Sequence, residues 1–183
     1  MATDYGVKIM IADPLGELVD AARHGDGPAI NALVLETQVE VLRLCAHLGS
    51  QDDAEDLAQD AYLRAFDSLH KFRGESQFRS WLLAIARNVC ADYVRTRVRH
   101  RRIDALRVPV PESAVSLAGE VEWSNLLDQL DDDQRIAFVL TALMGMEYSQ
   151  AAEICNCPVG TIRSRVSRAR AHLLVLHRGA ESA

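Results

Sequence analysis

Apolar residues recur every three or four positions along almost the whole chain, and this spacing limits the fold to packed helices. One such stripe consists of Leu33, Thr37, Val41, Leu44 and Leu48. Gly49 and Ser50 follow it directly, as residues that end a helix do. Only 5% of the residues are aromatic, and the abundant alanine and leucine favour helices. The sequence therefore predicts an all-α protein.

A stretch without periodicity divides the helical pattern into two parts. Residues 103–122 contain Pro109 and Pro111 together with serine, glycine and acidic residues, a composition typical of a linker. We therefore predict two small helical domains, at residues 14–102 and 123–178, joined by a flexible linker at residues 103–122.

Acidic and basic residues alternate in blocks, although the net charge of the 183-residue chain is only −6. Residues 1–70 carry 4 basic and 13 acidic groups, whereas residues 71–107 carry 10 basic and 3 acidic groups. Residues 108–133 carry 7 acidic groups and no basic group, and residues 134–183 carry 6 basic and 3 acidic groups. Two separated cationic blocks favour two surfaces that bind a polyanion. Surface charge that is merely solvated explains this pattern less well.

The second cationic block fits the second helix of a helix-turn-helix. Residues 148–155 are predicted to form a short helix, residues 156–160 a tight turn, and residues 161–177 a basic helix. The outward face of that last helix consists of Arg163, Ser164, Ser167 and Arg168. Side chains on such a face enter the major groove, where arginine reads guanine and serine bonds bases or phosphates. DNA binding is therefore favoured over a merely solvated basic helix.

The first cationic block interleaves aromatic residues with arginines, a mixture typical of surfaces that bind single-stranded nucleic acid. Aromatic residues at helical spacing are more often part of a core, and we expect Phe78 and Tyr93 to be core residues. Trp81 and Asn88 lie at the edge of the same apolar face, where they can meet unpaired bases.

Residues that start and stop helices mark the boundaries in both halves of the chain. Ser76 is the candidate cap of a helix that begins near Phe78 and runs to about Arg97. In the second half, Asp131 or Asp132 is the candidate cap of a helix that Gly145 ends.

The helix predicted over residues 52–69 carries a second stripe on the side opposite its apolar face. This stripe consists of Asp56, Gln59, Asp60 and Leu63. A leucine among polar residues is either tolerated surface or part of a docking face, and the pattern alone leaves both interpretations open.

No pattern of catalytic or cofactor-binding residues is present, so we expect no catalytic residue, no metal site and no cofactor. The cysteines at 45, 90, 155 and 157 are expected to be small core side chains, while a redox role for Cys155 and Cys157 stays open. The chain lacks an apolar run of roughly 18 residues, and its first residues do not resemble a secretory signal. We therefore expect a cytoplasmic protein that is not inserted into a membrane.

Three segments together resemble a bacterial extracytoplasmic-function (ECF) sigma factor of RNA polymerase. They are DAEDLAQDAYLRAF at 53–66, KFRGESQFRSWLLAIARNVCADYVR at 71–95, and residues 130–174, which include CPVGTIRSRVSRAR. Their order and spacing match the family, and the resemblance extends from about residue 14 to the end of the last helix. It implies a region 2 helical bundle, a linker and a region 4 helix-turn-helix.

The resemblance also implies partners and roles for particular residues. Core RNA polymerase would be bound through its β′ coiled coil and β flap, with the coiled coil on Asp56, Gln59, Asp60 and Leu63. The −10 promoter element would be held as a single strand by Phe72, Ser76, Gln77, Trp81, Asn88 and Arg95. The −35 element would be read as duplex DNA by Pro158, Thr161, Arg163, Ser164, Ser167 and Arg168. An anti-sigma factor that covers these surfaces is a further expected partner.

Two other interpretations explain less of the sequence. A free-standing helix-turn-helix regulator accounts for the C-terminal segment but not for the Asp56–Leu63 stripe or the aromatic-basic block. It predicts tight duplex binding by the protein alone, whereas two DNA readers linked on polymerase predict weak binding by the free chain. An enzyme would show intrinsic turnover, for which no residue pattern provides a basis.

Overall fold

The computed structural model describes residues 13–104 and 126–181, and these residues form helices and turns with no strand among them. The helices are α1 (Gly16–Arg23), α2 (Gly27–Leu48), α3 (Ala54–Asp67), α4 (Phe78–Asp104), α5 (Asp132–Phe138), α6 (Tyr148–Cys155) and α7 (Val159–Glu181). A 3₁₀ turn at Leu69–Lys71 precedes α4, and a π-helical segment at Val139–Leu143 follows α5. The predicted all-α class is confirmed. The predicted linker lies outside the described residues from position 105 onward.

Helices α1 to α4 form the first bundle, whose core is made by the apolar faces that the sequence predicts. Leu33 on α2, Ala61 on α3 and Phe78 on α4 are each 0% exposed. The one buried hydroxyl of α2, on Thr37, donates to the Leu33 carbonyl at 2.7 Å and lies 2.8 Å from the Tyr62 hydroxyl. Because these polar atoms are paired, the bundle avoids the cost of burying them alone.

Helix α4 begins at Phe78 as predicted, but a residue far away in the sequence caps it. The Phe78 N–H donates to Asp13 Oδ2 at 2.6 Å, so the candidate cap Ser76 does not fill this role. The helix runs to Asp104 instead of ending near Arg97. No glycine or proline occurs between these two positions, so nothing in the sequence stops the helix earlier.

Helix α5 starts as predicted, with Asp131 Oδ1 accepting from the Gln134 N–H at 2.9 Å. The helix predicted up to Gly145 is an α-helix only to residue 138, and its turns then widen into a π-helix. The Thr141 hydroxyl donates at 2.7 Å to the Ala137 carbonyl, which an α-helix reserves for the Thr141 backbone N–H. Gly145 ends the segment with φ at +72°.

Helices α6 and α7 form the predicted helix-turn-helix. Helix α6 covers the predicted residues, and Asn156 turns the chain with φ at +50°. Helix α7 begins two residues earlier than predicted because the Pro158 carbonyl accepts from the Thr161 N–H at 2.9 Å. Ile162 is 0% exposed and Val166 is 1% exposed, so the predicted inner face of α7 is the buried one.

The two bundles share one apolar core, to which the second bundle contributes Val139, Leu140 and Ile154. Arginines add polar contacts across the interface by donating to backbone carbonyls. The contacts join Arg135 Nη2 to Leu48 O (2.6 Å), Arg43 Nη2 to Leu143 O (2.7 Å) and Arg87 Nη1 to Ile154 O (2.8 Å). Each carbonyl lies in the last turn of a helical segment, where it lacks a partner within the helix and marks the negative end of the dipole. The guanidinium groups therefore satisfy these carbonyls and join the two domains.

We expect the substitution Arg135→Ala to weaken the packing between the two bundles without unfolding either of them. The Arg135 side chain is only 13% exposed and also pairs with Asp128 at 2.9 Å. Its loss leaves buried helix-end carbonyls unsatisfied, at a cost of about 1–3 kcal/mol. The radius of gyration from small-angle X-ray scattering should rise while helix content by circular dichroism stays constant. An unchanged radius, equal to that of the exposed control Arg170→Ala, would contradict this expectation.

Candidate nucleic-acid and partner interfaces

The stripe on α3 lies on the protein surface. Asp56 and Gln59 are exposed, and Leu63 is 65% exposed although it is a large apolar residue. Asp60 is half-buried and accepts from Arg64 Nη2 at 2.8 Å and Nε at 3.1 Å. The structure thus brings the four predicted residues onto one face, with the Asp60 carboxylate already engaged by its neighbour.

An apolar groove of about 310 Å³ separates α2 from α3 beside this stripe. Its apolar lining includes Val34, Leu42, Ala58, Tyr62, Leu63 and Phe66. On α2 the apolar surface continues past the groove to Leu35 (67% exposed) and Val39 (64% exposed). Sequence reasoning missed these two residues. They lie outside the buried Leu33–Thr37–Val41 stripe, and apolar residues outside the buried face of a helix are expected to be exposed. A contiguous exposed apolar surface of this kind marks a protein-interaction site.

A second cavity of about 390 Å³ opens at the loop that precedes α4. Its lining consists of Lys71, Phe72, Arg73, Glu75, Ser76 and Trp81. One wall is an aromatic cluster in which the Phe72 ring centroid lies 5.9 Å from that of Phe78 and 5.2 Å from that of Trp81. Gly74 reverses the loop with φ at +68°, a conformation that favours glycine.

The residues predicted to meet the −10 element divide into two groups. Phe72, Ser76 and Trp81 line the cavity, with Phe72 only 8% exposed and the other two half-buried. The half-buried Gln77 is the residue before α4, and its carbonyl accepts from the Trp81 N–H at 3.1 Å. Further along α4 lie two exposed residues, Asn88 and Arg95.

Asn88 and Arg95 both have intramolecular partners. Asn88 Oδ1 accepts from Arg87 Nη2 at 2.9 Å, and Arg87 Nη1 in turn donates to the Ile154 carbonyl on α6. Arg95 pairs with Asp92 on the same helix, and Asp92 also accepts from Arg64 at 3.0 Å. A ligand that binds Asn88 or Arg95 must therefore replace these contacts.

Polar contacts hold the middle of α4 against the start of α3. The Tyr93 hydroxyl donates to Asp53, and this hydrogen bond lowers the pKa of the Asp53 carboxyl. Arg97 Nη1 donates to the Tyr93 hydroxyl at 2.8 Å. Phe78 is a core residue as expected, whereas Tyr93 is half-buried at the edge of the core.

The outward face of α7 is exposed. Arg163, Ser164, Ser167 and Arg168 are exposed, as is Pro158, while Thr161 is half-buried. Arg168 Nε donates to the Ser164 carbonyl at 3.3 Å, which directs its side chain along the helix.

Arg165 differs from Arg163 and Arg168, because its side chain is only 18% exposed and pairs with Asp133 on α5. It also donates to Cys157 Sγ at 3.6 Å. Arg165 therefore joins the helix-turn-helix to α5, while its neighbours stay available for a ligand.

The cysteines are all free thiols. Cys45 and Cys90 are buried, as expected for core side chains. Cys155 and Cys157 are half-buried, and burial raises the pKa of the Cys155 thiol. A protonated thiol is a poor nucleophile, so this environment does not activate Cys155.

Two absences hold for the part of the chain that the structure describes. Within residues 13–104 and 126–181, acidic, histidine and cysteine side chains form no cluster of three or more that is arranged to hold a metal ion. Over the same ranges, each helix is too short or too polar to span a bilayer.

A helical bundle with an aromatic cavity and an apolar groove, packed against a helix-turn-helix with an exposed basic face, is typical of a two-domain helical DNA-binding protein. Family models agree: sigma-70 region 2 matches residues 33–102, and sigma-70 region 4 matches residues 121–173. The ECF RNA polymerase sigma factor SigC of Mycobacterium tuberculosis is 42% identical over 159 residues, which cover 84% of this chain and 86% of SigC.

Two solved structures are similar to this chain in fold. CnrH, in complex with the cytosolic domain of CnrY, has a TM-score of 0.69 and 27% identity over 89% of this chain and 96% of that chain. RpoE of Bartonella quintana, in complex with the anti-sigma factor NepR, has a TM-score of 0.63 and 34% identity. The match covers 81% of this chain and 96% of that chain.

The chain therefore belongs to the ECF sigma factors of RNA polymerase. Members of this family are transcription initiation factors and not enzymes. Regions 2 and 4 bind core RNA polymerase and promoter DNA.

Proposed function

We propose that this sigma factor directs core RNA polymerase to promoters by opening a −10 element with region 2 and reading a −35 element with region 4. It acts in the cytoplasm, where polymerase works. The observation that carries the proposal is the cavity of about 390 Å³ beside Trp81, which offers an aromatic ring, a hydroxyl and cationic side chains to an unpaired base. An unpaired base can enter such a cavity, whereas a regulator of intact duplex DNA reads base edges in the grooves.

The α3 stripe, with Asp56, Gln59, Asp60 and Leu63, is proposed to bind the coiled coil of the polymerase β′ subunit. The groove between α2 and α3 supports this role because it is apolar, exposed and next to Leu63. A helical partner can place apolar side chains in the groove and bond Asp56 and Gln59 at its rim. We propose the β flap as a second polymerase contact, made by region 4.

The −10 contacts are proposed to divide between the cavity and α4. Phe72, Ser76, Gln77 and Trp81 surround the site for a flipped base, and Asn88 and Arg95 continue along the path of the strand. Flipping a base costs a few kcal/mol of lost stacking, which contacts in the cavity must offset. The Phe72 ring is largely buried, so its contribution comes from shaping the cavity wall and not from an exposed face.

The substitution Trp81→Ala is expected to slow promoter opening about 10- to 100-fold, because base–aromatic stacking contributes about 1–3 kcal/mol per base. Trp81 is half-buried, so part of the change is lost packing with Phe72 and Phe78. Permanganate footprinting of the −10 element measures opening, and a promoter with a pre-opened −10 bubble is the control. Equal opening by the variant and the original protein would contradict the proposed stacking role.

The −35 contacts are proposed to come from the exposed face of α7. Arg163, Ser164, Ser167 and Arg168 face the major groove in this proposal, while Pro158 and Thr161 lie near a phosphate at the start of the helix. The exposure of this face and the diversion of Arg165 toward α5 support the assignment.

We also propose that an anti-sigma factor holds this chain inactive. The similar structures of CnrH with CnrY and of RpoE with the anti-sigma factor NepR support this, as does the exposed apolar surface around Leu35, Val39 and Leu63. The expected result is an inhibitory complex in cells that releases the sigma factor to core polymerase on induction. A chain that is always free or bound to polymerase in cells would contradict this proposal.

The test of the function is genome-wide run-off transcription with purified core RNA polymerase, with and without this protein. New start sites that share two spaced elements are the expected result. If core polymerase gains no start sites while the protein alone shifts duplex DNA, the chain acts as a free-standing regulator and the promoter-opening proposal fails.

A further inference from the structure

We propose that Asp13 and Arg23 are positioning residues for promoter opening, because they fix both ends of the loop that forms the −10 cavity. These two residues, called the α1 contact pair below, precede the part of the chain that matches sigma-70 region 2. The inference deepens the proposed −10 role of the cavity and rests on it.

Arg23, the last residue of α1, binds the beginning of the loop. Its Nη2 donates to the Phe72 carbonyl, and its Nε lies 3.5 Å from the Leu69 carbonyl. Its guanidinium carbon lies 5.6 Å from the centroid of the Phe72 ring, within the range of a cation–π contact. Nη1 donates to Asp20 Oδ1 at 3.0 Å, which orients the group. The planar guanidinium fits this set of partners, and a lysine ammonium cannot reproduce it.

Asp13 binds the end of the same loop. Its Oδ2 accepts from the Phe78 N–H at 2.6 Å, and its Oδ1 accepts from the Leu15 N–H at 3.0 Å. One carboxylate therefore caps the first turn of α4 and also fixes the chain just before α1. A negative charge at the start of a helix is favoured by the helix dipole and by the unpaired N–H groups there.

Between these two fixed ends lies the segment that encloses the cavity. Glu75 and Gly74 in this segment are exposed. Phe72, which Arg23 binds, also forms the cavity wall together with Trp81. A loop that is already ordered before DNA arrives pays less conformational entropy when it captures a base. The α1 contact pair thus sets the position of the cavity wall before the strand opens.

Apolar packing attaches α1 to the bundle independently of these polar contacts. Val19 is 2% exposed and Ala22 is 6% exposed in the core. Loss of Asp13 or Arg23 should therefore leave α1 in place and release the loop. Substitutions at Asp13 and Arg23 can therefore test the positioning of the loop separately from the folding of the bundle.

The experiment uses the full chain with core polymerase and a promoter found by the run-off assay, labelled with 2-aminopurine in the −10 element. The variants are Asp13→Ala, Arg23→Ala and Arg23→Lys, with Glu17→Ala on the exposed side of α1 as the matched control. Core-binding affinity and thermal melting are measured beside the rate of promoter opening. Transcription from a library of −10 sequences then gives the base preference.

We expect each contact-pair variant to slow opening about 10- to 100-fold, since small misplacements of a binding group have effects of this size. Core affinity should not change, base preference at one −10 position should flatten, and Arg23→Lys should behave like Arg23→Ala. Equal opening rates and preferences, with or without a lower melting temperature, would overturn the proposal.

Recovery of opening by Arg23→Lys, with a salt dependence like that of the original protein, would also overturn it, because it would identify Arg23 as a direct phosphate contact. If the original protein itself supports no promoter-specific transcription, the proposed function fails, which is distinct from failure of the positioning role.

Discussion

The substitution Leu63→Glu is expected to weaken binding to core RNA polymerase at least 100-fold, which corresponds to about 2.7 kcal/mol. Leu63 is 65% exposed in the free chain and lines the groove between α2 and α3. When a partner helix covers the groove, a glutamate there loses its hydration and finds no cation among the groove's lining residues. The affinity for core polymerase is measured by fluorescence anisotropy of labelled sigma factor.

Two comparisons separate this effect from a loss of folding. Glutamate is a good helix former and position 63 is exposed, so the free energy of unfolding should change by no more than about 0.5 kcal/mol. Val175→Glu makes the same chemical change at a residue that is 68% exposed on α7, and it should leave binding to the isolated β′ coiled coil within about twofold. Undiminished core binding by Leu63→Glu would remove the groove from the polymerase interface.

Local sequence patterns predicted most of the helices and the exposed faces of α3 and α7. These features depend on residues three or four positions apart, so periodicity contains the information. The buried side of α3 and the inner face of α7 follow directly from it, as do the cap at Asp131 and the turn at Gly145. The family resemblance added expected roles for the exposed residues, which periodicity does not provide.

Contacts between distant residues were beyond these patterns. Asp13 caps a helix that begins at Phe78, and Arg135 bonds the carbonyl of Leu48, yet each residue has an ordinary local sequence. A surface arginine and an arginine that joins two domains differ only in what the fold brings near them. The cavity at the loop and the packing of the two bundles therefore required the structure.

The substitution Arg163→Ala is expected to reduce −35-dependent transcription about 10- to 100-fold, since an arginine that bonds a base edge contributes about 1–3 kcal/mol of discrimination. Arg163 is exposed and forms no ion pair with any residue that the structure describes. Its loss should therefore leave the melting temperature unchanged. Transcription from a library of −35 sequences measures both the loss and the relaxed base preference.

Arg165→Ala provides the matched contrast two positions away on the same helix. Its side chain pairs with Asp133 and reaches Cys157, so its loss should lower the melting temperature of region 4. The ranking of −35 sequences should stay the same, because Arg165 is directed toward α5 and not toward the exposed face. If Arg165→Ala changes the ranking and Arg163→Ala does not, a different face of α7 reads the DNA. If Arg163→Ala changes the ranking and Arg165→Ala does not, the exposed face of α7 reads the bases and Arg165 stabilises the packing of α7 on α5.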